Sequence, residues 1–180
     1  MNSQAKTQQA ERAYIAIGSN LGDSAKIIRA AMERLEKFSS APLLKSSLWR
    51  TSPVDCPPGS PPFVNAVVGL VPLAKTPELL LEQLQAMEKE FGRHPKTVLN
   101  EARPLDLDLI SFGEERRLTT HLTLPHPRAA KRRFVLQPLA EIDPALILPG
   151  QEKSVMELLR SLETEEVLVQ ITNSSPPAKN

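Results

Sequence analysis

Leu105-Asp106-Leu107-Asp108-Leu109-Ile110-Ser111-Phe112 is the stretch on which the reading of this chain turns. Its first five residues alternate strictly between apolar and acidic. Alternation of period two marks a β-strand whose two faces meet different surroundings. The leucines take the buried face. Asp106 and Asp108 share the other, separated by about 6–7 Å along the strand. Two carboxylates this close repel each other unless a cation lies beside them. One reading is a solvated strand face that happens to carry two acids. The other is a pair of hard oxygen ligands for Mg²⁺, an ion that binds through one or two carboxylates and shares its remaining positions with water and phosphate. Such a platform serves phosphoryl transfer.

The segments on either side decide what kind of sheet this strand joins. Tyr14 to Gly18 (YIAIG) reads as a buried first strand, closed by a turn through Gly18, Asn20, Leu21 and Gly22. Asp23 or Ser24 can cap a helix to about Phe38, with Ile28, Met32 and Leu35 on its apolar face. Lys45 to Thr51 reads as a second strand and Phe63 to Val71 as a third. Between them, Ser52 to Pro62 holds five prolines and one glycine and excludes both helix and central strand. Thr76-Pro77-Glu78 opens a second helix: a capping hydroxyl, proline at the first helical position, then an acid at the positive end of the dipole. Leu80, Leu84, Met87 and Phe91 form its buried face, and Gly92 ends it. Residues 93–104 read as a polar loop and His121 to Pro127 as another. Val135 to Ala140 reads as a short helical turn, Ser154 to Leu162 as a surface helix and Val167 to Ile171 as a last strand. The order is β-α-β-β-α-β with additions. It predicts an α/β (α+β) fold: a ferredoxin-like sandwich with an extended, mainly antiparallel sheet and helices on its faces.

Composition bounds the rest. The chain has 180 residues, 41% of them hydrophobic and 24% charged, which is enough to bury a core in one domain. The expected boundaries are a loose polar arm over 1–11, a single domain over 12–172 and a disordered tail over 173–180. Basic residues number 22 and acidic residues 21, so no global field favours nucleic acid or a membrane surface. The lone Cys56 has no partner for an internal disulfide. No apolar stretch approaches the roughly 20 residues of a membrane helix, and the N-terminus lacks a signal core. A cytoplasmic protein, monomeric or weakly dimeric, is expected.

Charge is uneven within this neutral chain. From Arg93 to Arg133 there are nine Lys and Arg against five acids, a surplus of four. Guanidinium groups around an acid pair suit a polyphosphate, whose oxygens Arg grips two at a time. No Gly-x-x-x-x-Gly-Lys-Ser/Thr loop and no Gly-x-Gly-x-x-Gly occur, so side chains and loops must hold any nucleotide.

Five blocks of the sequence together resemble 6-hydroxymethyl-7,8-dihydropterin pyrophosphokinases, and they come in that family's order. They are Tyr14-Ile-Ala-Ile-Gly-Ser-Asn-Leu-Gly-Asp23; Arg50-Thr51-Ser52-Pro53-Val54 with Phe63-Val64-Asn65; Glu88 with Gly92-Arg93; Arg103-Pro104-Leu105-Asp106-Leu107-Asp108-Leu109; and Leu124-Pro125-His126-Pro127 with Arg132, Phe134-Val135-Leu136 and Pro138-Leu139-Ala140-Glu141-Ile142. The resemblance covers about residues 13–150. It implies transfer of pyrophosphate from ATP to the hydroxymethyl oxygen of the pterin, with AMP leaving. It implies two Mg²⁺ ions on Asp106 and Asp108, with Arg103 and Arg93 beside them in the catalytic set. ATP would meet Glu88, Arg103, Thr123, His126 and Arg132. The pterin would meet Thr51, Pro53, Val54, Phe63, Asn65 and Phe134. The loops at 52–62 and 93–104 would be lids.

The chain departs from the family pattern in the second loop. Pro95 stands where many members carry a second Arg, and Leu99-Asn100 where many carry Arg-Trp. Two rival readings use the same scaffold: a nucleotide-dependent transferase with another acceptor, and a catalytically silent binding module. The altered loop favours the first. Intact Arg103, Asp106, Asp108 and His126 oppose the second.

Overall fold

The computed structural model describes residues 11–52, 59–93 and 102–172. Its centre is β1 (Ala13–Ser19), flanked by β4 (Phe63–Leu70) and β5 (Asp106–Phe112), both antiparallel to it. β3 (Leu48–Thr51) extends the sheet beyond β4, and β8 (Leu168–Ile171) adds its far edge, giving the order β5-β1-β4-β3-β8. The two-residue β2 (Leu44–Lys45) also pairs with β4. Together with α1 (Ser24–Leu35) and α2 (Pro77–Glu90), these strands form the βαββαβ core of the ferredoxin-like arrangement. The remaining elements are a short ribbon of β6 (Arg117–Leu118) and β7 (Thr123–Leu124), then α3 (Arg133–Ile142) and α4 (Val155–Ser161).

Each face of the sheet is covered by one helix pair. Ile28, Met32 and Leu35 of α1 and Leu80, Leu84 and Met87 of α2 pack on Ile15, Ile17, Leu107 and Leu109. Burying such side chains stabilises by about 1.5–3 kcal/mol each. Val135, Leu136 and Leu139 of α3 and Val155 of α4 cover Tyr14, Val67 and Ile110 on the opposite face. The helix starts follow the sequence signals. Asp23 accepts the N–H of Lys26 at 3.2 Å, and Thr76 accepts that of Leu79 at 3.3 Å ahead of Pro77.

Three elements differ from expectation. The second strand is broken between β2 and β3 at Ser46 and Ser47: the Ser46 N–H still donates to the Val67 carbonyl at 3.0 Å, but the Val67 N–H goes to Ser46 Oγ at 2.9 Å instead of a backbone carbonyl. The loop after His121 contains β7. The helical turn expected over 135–140 is the ten-residue α3, which carries Pro138 inside it. Pro138 stands at the sixth position, past the first turn, so it removes the bond its N–H would give to the Phe134 carbonyl, and the helix runs only four residues further, to Ile142.

Candidate functional site

The face covered by α3 and α4 is only part closed. Away from Tyr14, toward the end of β1 at Gly18, a cleft of about 310 Å³ opens over the sheet. Its floor follows from register. Gly18 stands opposite Asp106 of β5 on one side and Asn65 of β4 on the other. Adjacent strands lie about 4.8 Å apart, so Asp106 and Asn65 are separated by about 10 Å across the glycine. A Cβ on Gly18 would come within 3.1 Å of Asn65 Oδ1, so the missing side chain keeps the floor open. Asn65 is buried and its Nδ2 donates to Thr51 Oγ1 at 2.8 Å, leaving its amide oxygen toward Gly18.

On the acidic side, α2 and β5 are tied together. Glu88, buried near the end of α2, accepts the N–H of Leu107 at 2.7 Å and ion-pairs with Arg93. Arg93 and Arg103 each reach Asp106 Oδ1, at 3.0 and 3.1 Å. Asn20 holds Arg103 by its backbone: its Oδ1 accepts the Arg103 N–H at 2.8 Å, and its own N–H donates to the Arg103 carbonyl at 3.2 Å. Asp106 thus takes two guanidinium contacts, while Asp108 has no ion pair among the described residues. Burial, and then the charge of Asp106, push the Asp108 carboxyl up to about 6. Burial also pushes Glu88 up to about 7, against the Leu107 N–H and Arg93, which pull it down. A divalent cation fits this donor set. It would offset the burial and the repulsion from Asp106 that raise Asp108, and needs no third protein ligand when phosphate oxygens complete its shell.

The turn before α3 supplies the basic wall. Arg128, Lys131 and Arg132 line the cleft with Arg103, and Phe134 follows them. The Arg132 guanidinium lies 5.2 Å from the centre of the Phe134 ring. His126 Nδ1 accepts the Arg128 N–H at 3.2 Å, which leaves the other ring nitrogen to carry the proton. Burial, with Arg132 and Arg128 nearby, lowers its pKa to about 4, so the ring is neutral at pH 7.

Of the residues singled out from sequence, Thr51, Phe63, Asn65, Arg103, Asp106, Asp108, Arg132 and Phe134 line one cleft. Arg93 and Glu88 stand behind Asp106 rather than on the lining. His126 is fixed beside the cleft by its N–H, which donates to the Ile110 carbonyl at 2.8 Å. Thr123 is in β7, paired with Leu118, and is not on the lining. Pro53, Val54, Pro95, Leu99 and Asn100 lie outside the described residues. The structure adds Gly18, Asn20, Arg128, Lys131 and Glu166. The glycine and the asparagine were legible as a turn, and the two cations as part of the basic surplus. Nothing in the sequence around Glu166 marks it.

Comparison with known proteins places this geometry. A family model described as 7,8-dihydro-6-hydroxymethylpterin-pyrophosphokinase (HPPK) matches residues 14–144. The 2-amino-4-hydroxy-6-hydroxymethyldihydropteridine pyrophosphokinase of Pseudomonas aeruginosa is 37% identical over 158 residues, covering 87% of this chain and 95% of that protein. The protein of the same name from Bacillus subtilis is 40% identical over 131 residues, covering 72% and 77%. Among solved structures, an HPPK-DHPS with substrates superposes with a TM-score of 0.68 at 12% identity. It covers 84% of this chain and 43% of that one, and so speaks for the fold alone. The fold, the cleft floor and these matches lead to one conclusion: the chain belongs to the 7,8-dihydro-6-hydroxymethylpterin-pyrophosphokinase family.

Proposed function

We propose that the cleft carries out its family's reaction, pyrophosphoryl transfer from ATP to 6-hydroxymethyl-7,8-dihydropterin in folate biosynthesis, with the residues just described. The observation that carries this reading is the juxtaposition across Gly18. An acid pair with its guanidinium groups lies on one side of the glycine, and a buried amide next to two aromatic rings lies on the other. One part of the cleft suits a triphosphate, and the other a flat polar heterocycle.

The pterin would lie near Asn65, whose amide oxygen can accept from a ring N–H or amino group while Thr51 fixes its nitrogen. Phe134 and Phe63 line the cleft and would stack on the ring. Arg103, Arg132, Arg128 and Lys131 would hold phosphate oxygens, and neutral His126 would donate one more hydrogen bond. The buried Nε of Arg103 has no partner among the described residues and is a further donor for this purpose. Asp106 and Asp108 would hold Mg²⁺, two ions in our reading, which neutralise charge on the triphosphate when bound. Glu88 and Arg93 keep Asp106 in place.

The protein's own part is alignment and charge. The hydroxymethyl oxygen attacks the β-phosphorus and gives up its proton to solvent, the bond between the β-phosphorus and the α–β bridging oxygen breaks, and AMP departs with that oxygen. Holding both reactants in one cleft removes most of the entropic barrier, and fixed cations stabilise the charge that develops on the phosphoryl oxygens. Among the described residues no helix is long and apolar enough to cross a membrane. Measurement of AMP release from Mg-ATP, with and without the hydroxymethyl pterin, tests the reading. Release that depends on the pterin supports it; release that ignores the pterin removes it.

A further inference from the structure

The α3 helix begins without a cap of its own. Arg132 occupies the capping position and its side chain makes no capping hydrogen bond. The N–H of Phe134, at the second helical position, would ordinarily go to a capping side-chain oxygen two residues earlier in the chain. It goes instead to Glu166, 32 residues later, whose Oε2 accepts it at 3.1 Å. Glu166 itself is placed by two local features. Its N–H donates to Thr164 Oγ1 at 3.2 Å, and two residues on, Leu168 enters β8 opposite Thr51. The carboxylate lines the cleft beside Thr51, Asn65 and Phe134. It lies beyond the segment matched by the family model, which ends at residue 144.

This contact joins three things that bear on ligand choice. A carboxylate at a helix N-terminus is favoured by the dipole, so it holds α3 by charge as well as by its hydrogen bond. The residue whose backbone it holds is the one that offers its ring to the cleft. Its negative charge also acts on Arg132, which stacks over that ring. The segment carrying Glu166 arrives on the β3 side of the cleft, the side of Thr51 and Asn65, away from Asp106 and Asp108 on β5.

We infer that Glu166 is a positioning residue for the pterin subsite: it caps α3 from a distant segment and thereby fixes Phe134 for stacking, while moderating the pull of Arg132 on anions. The inference rests on the proposed pterin reaction and assigns to it a residue outside the matched family segment. Loss of the carboxylate frees the α3 N-terminus and lets the Phe134 ring sample other orientations. The same loss leaves Arg132 with one acid fewer nearby. Pterin binding therefore weakens while triphosphate binding does not.

Equilibrium fluorescence titrations of the whole protein with 6-hydroxymethylpterin, and separately with a non-hydrolysable Mg-ATP analogue, test this on Glu166→Ala and Glu166→Gln. In Glu166→Ala the pterin binds about five- to tenfold more weakly, as loss of a cap predicts, while the ATP analogue binds unchanged or more tightly. Glu166→Gln keeps an acceptor oxygen and recovers most of the pterin affinity. A contact that merely stabilises the fold would weaken both ligands together and lower the melting temperature without this split. Equal weakening of both ligands, or no change in pterin affinity, overturns the assignment. A parent protein that binds no pterin overturns the proposed function along with it; a parent that binds pterin beside an unaffected Glu166→Ala overturns this assignment alone.

Discussion

The carboxylate of Glu88 on α2 accepts the backbone N–H of Leu107, the residue between Asp106 and Asp108, at 2.7 Å. A helix acid thus holds the strand that presents the acid pair. Glu88→Ala leaves that buried N–H without an acceptor, and a buried unsatisfied group costs about 1–3 kcal/mol. Glu88→Gln keeps an acceptor and gives up only the pairing with Arg93. Chemical denaturation is expected to place Glu88→Ala about 2 kcal/mol below the parent and Glu88→Gln within about 1 kcal/mol of it. Equal losses in the two variants would mean that the Leu107 contact contributes nothing.

Asp108 is held in a state that costs stability. Its folded pKa, about 6, lies above the ordinary value of 3.8, because it is buried beside Asp106. The folded protein therefore binds this proton more tightly than the unfolded chain. The contribution is fully present below about pH 4 and is lost as pH rises through 6. At pH 7.5 and without metal, Asp108→Asn is expected to be more stable than the parent, on the order of 1 kcal/mol, with the difference vanishing near pH 4. With Mg-ATP and pterin, the same variant and Asp106→Asn are expected to lose turnover by at least about a hundredfold. Thermal melts with and without Mg²⁺ provide the check: Mg²⁺ raises the parent's melting temperature and does not raise that of Asp108→Asn.

The core of this fold was legible because its signals are local. Leu105 to Leu109 shows its period within five residues, and Thr76-Pro77-Glu78 announces a helix with three. Where a distant residue decides, the sequence is silent. α3 looks like a short turn because Arg132 cannot cap it and Pro138 interrupts it; the cap comes from Glu166. β2 and β3 look like one strand because Ser46 differs little from its neighbours until Val67 is seen donating to its hydroxyl. The same holds for the site. Asp106, Asp108 and Arg103 are close in sequence, and the structure keeps them together. Grouping them with Asn65 requires the β1 register, which sets Gly18 between the two flanking strands.

Gly18 offers a direct test of that juxtaposition. An added Cβ would stand 3.1 Å from Asn65 Oδ1 and about 4.0 Å from both the Asp106 Cβ and the Phe63 ring. The amide must give way, and its hydrogen bond to Thr51 moves with it. Overpacking of this kind costs about 1–3 kcal/mol. Gly18→Ala is expected to raise the pterin KM about tenfold or more with a smaller change for ATP. A variant altered only in ATP binding would place the heterocycle elsewhere.

Phe134 separates stacking from packing. It is partly buried against the α3 core and also lines the cleft. Stacking of a base on an aromatic ring is worth about 1–3 kcal/mol, and a pterin presents a comparable face. Phe134→Ala is expected to weaken pterin binding by about 5- to 150-fold and the ATP analogue by much less. Calorimetry that finds equal losses for both ligands would mark Phe134 as a core residue only.

His126 completes the basic wall as an uncharged donor. Its Nδ1 accepts the Arg128 N–H, which assigns the proton to Nε2. Burial, Arg132 and Arg128 lower its pKa from the ordinary 6.5 to about 4. A lowered histidine value means that the unfolded chain takes up the proton first. The contribution to stability is present above about pH 6.5 and is lost as pH falls toward 4, on the order of 1 kcal/mol. His126→Gln keeps a neutral donor, so it is expected to melt with a flatter acid limb than the parent and to retain more activity than His126→Ala. Imidazole resonances followed by NMR give the direct reading. Of the chain's three histidines, His126 should remain neutral at pH 5.5 and in the Nε2–H form; a His126 midpoint near 6.5 would mean that neither its burial nor the arginines beside it govern its charge.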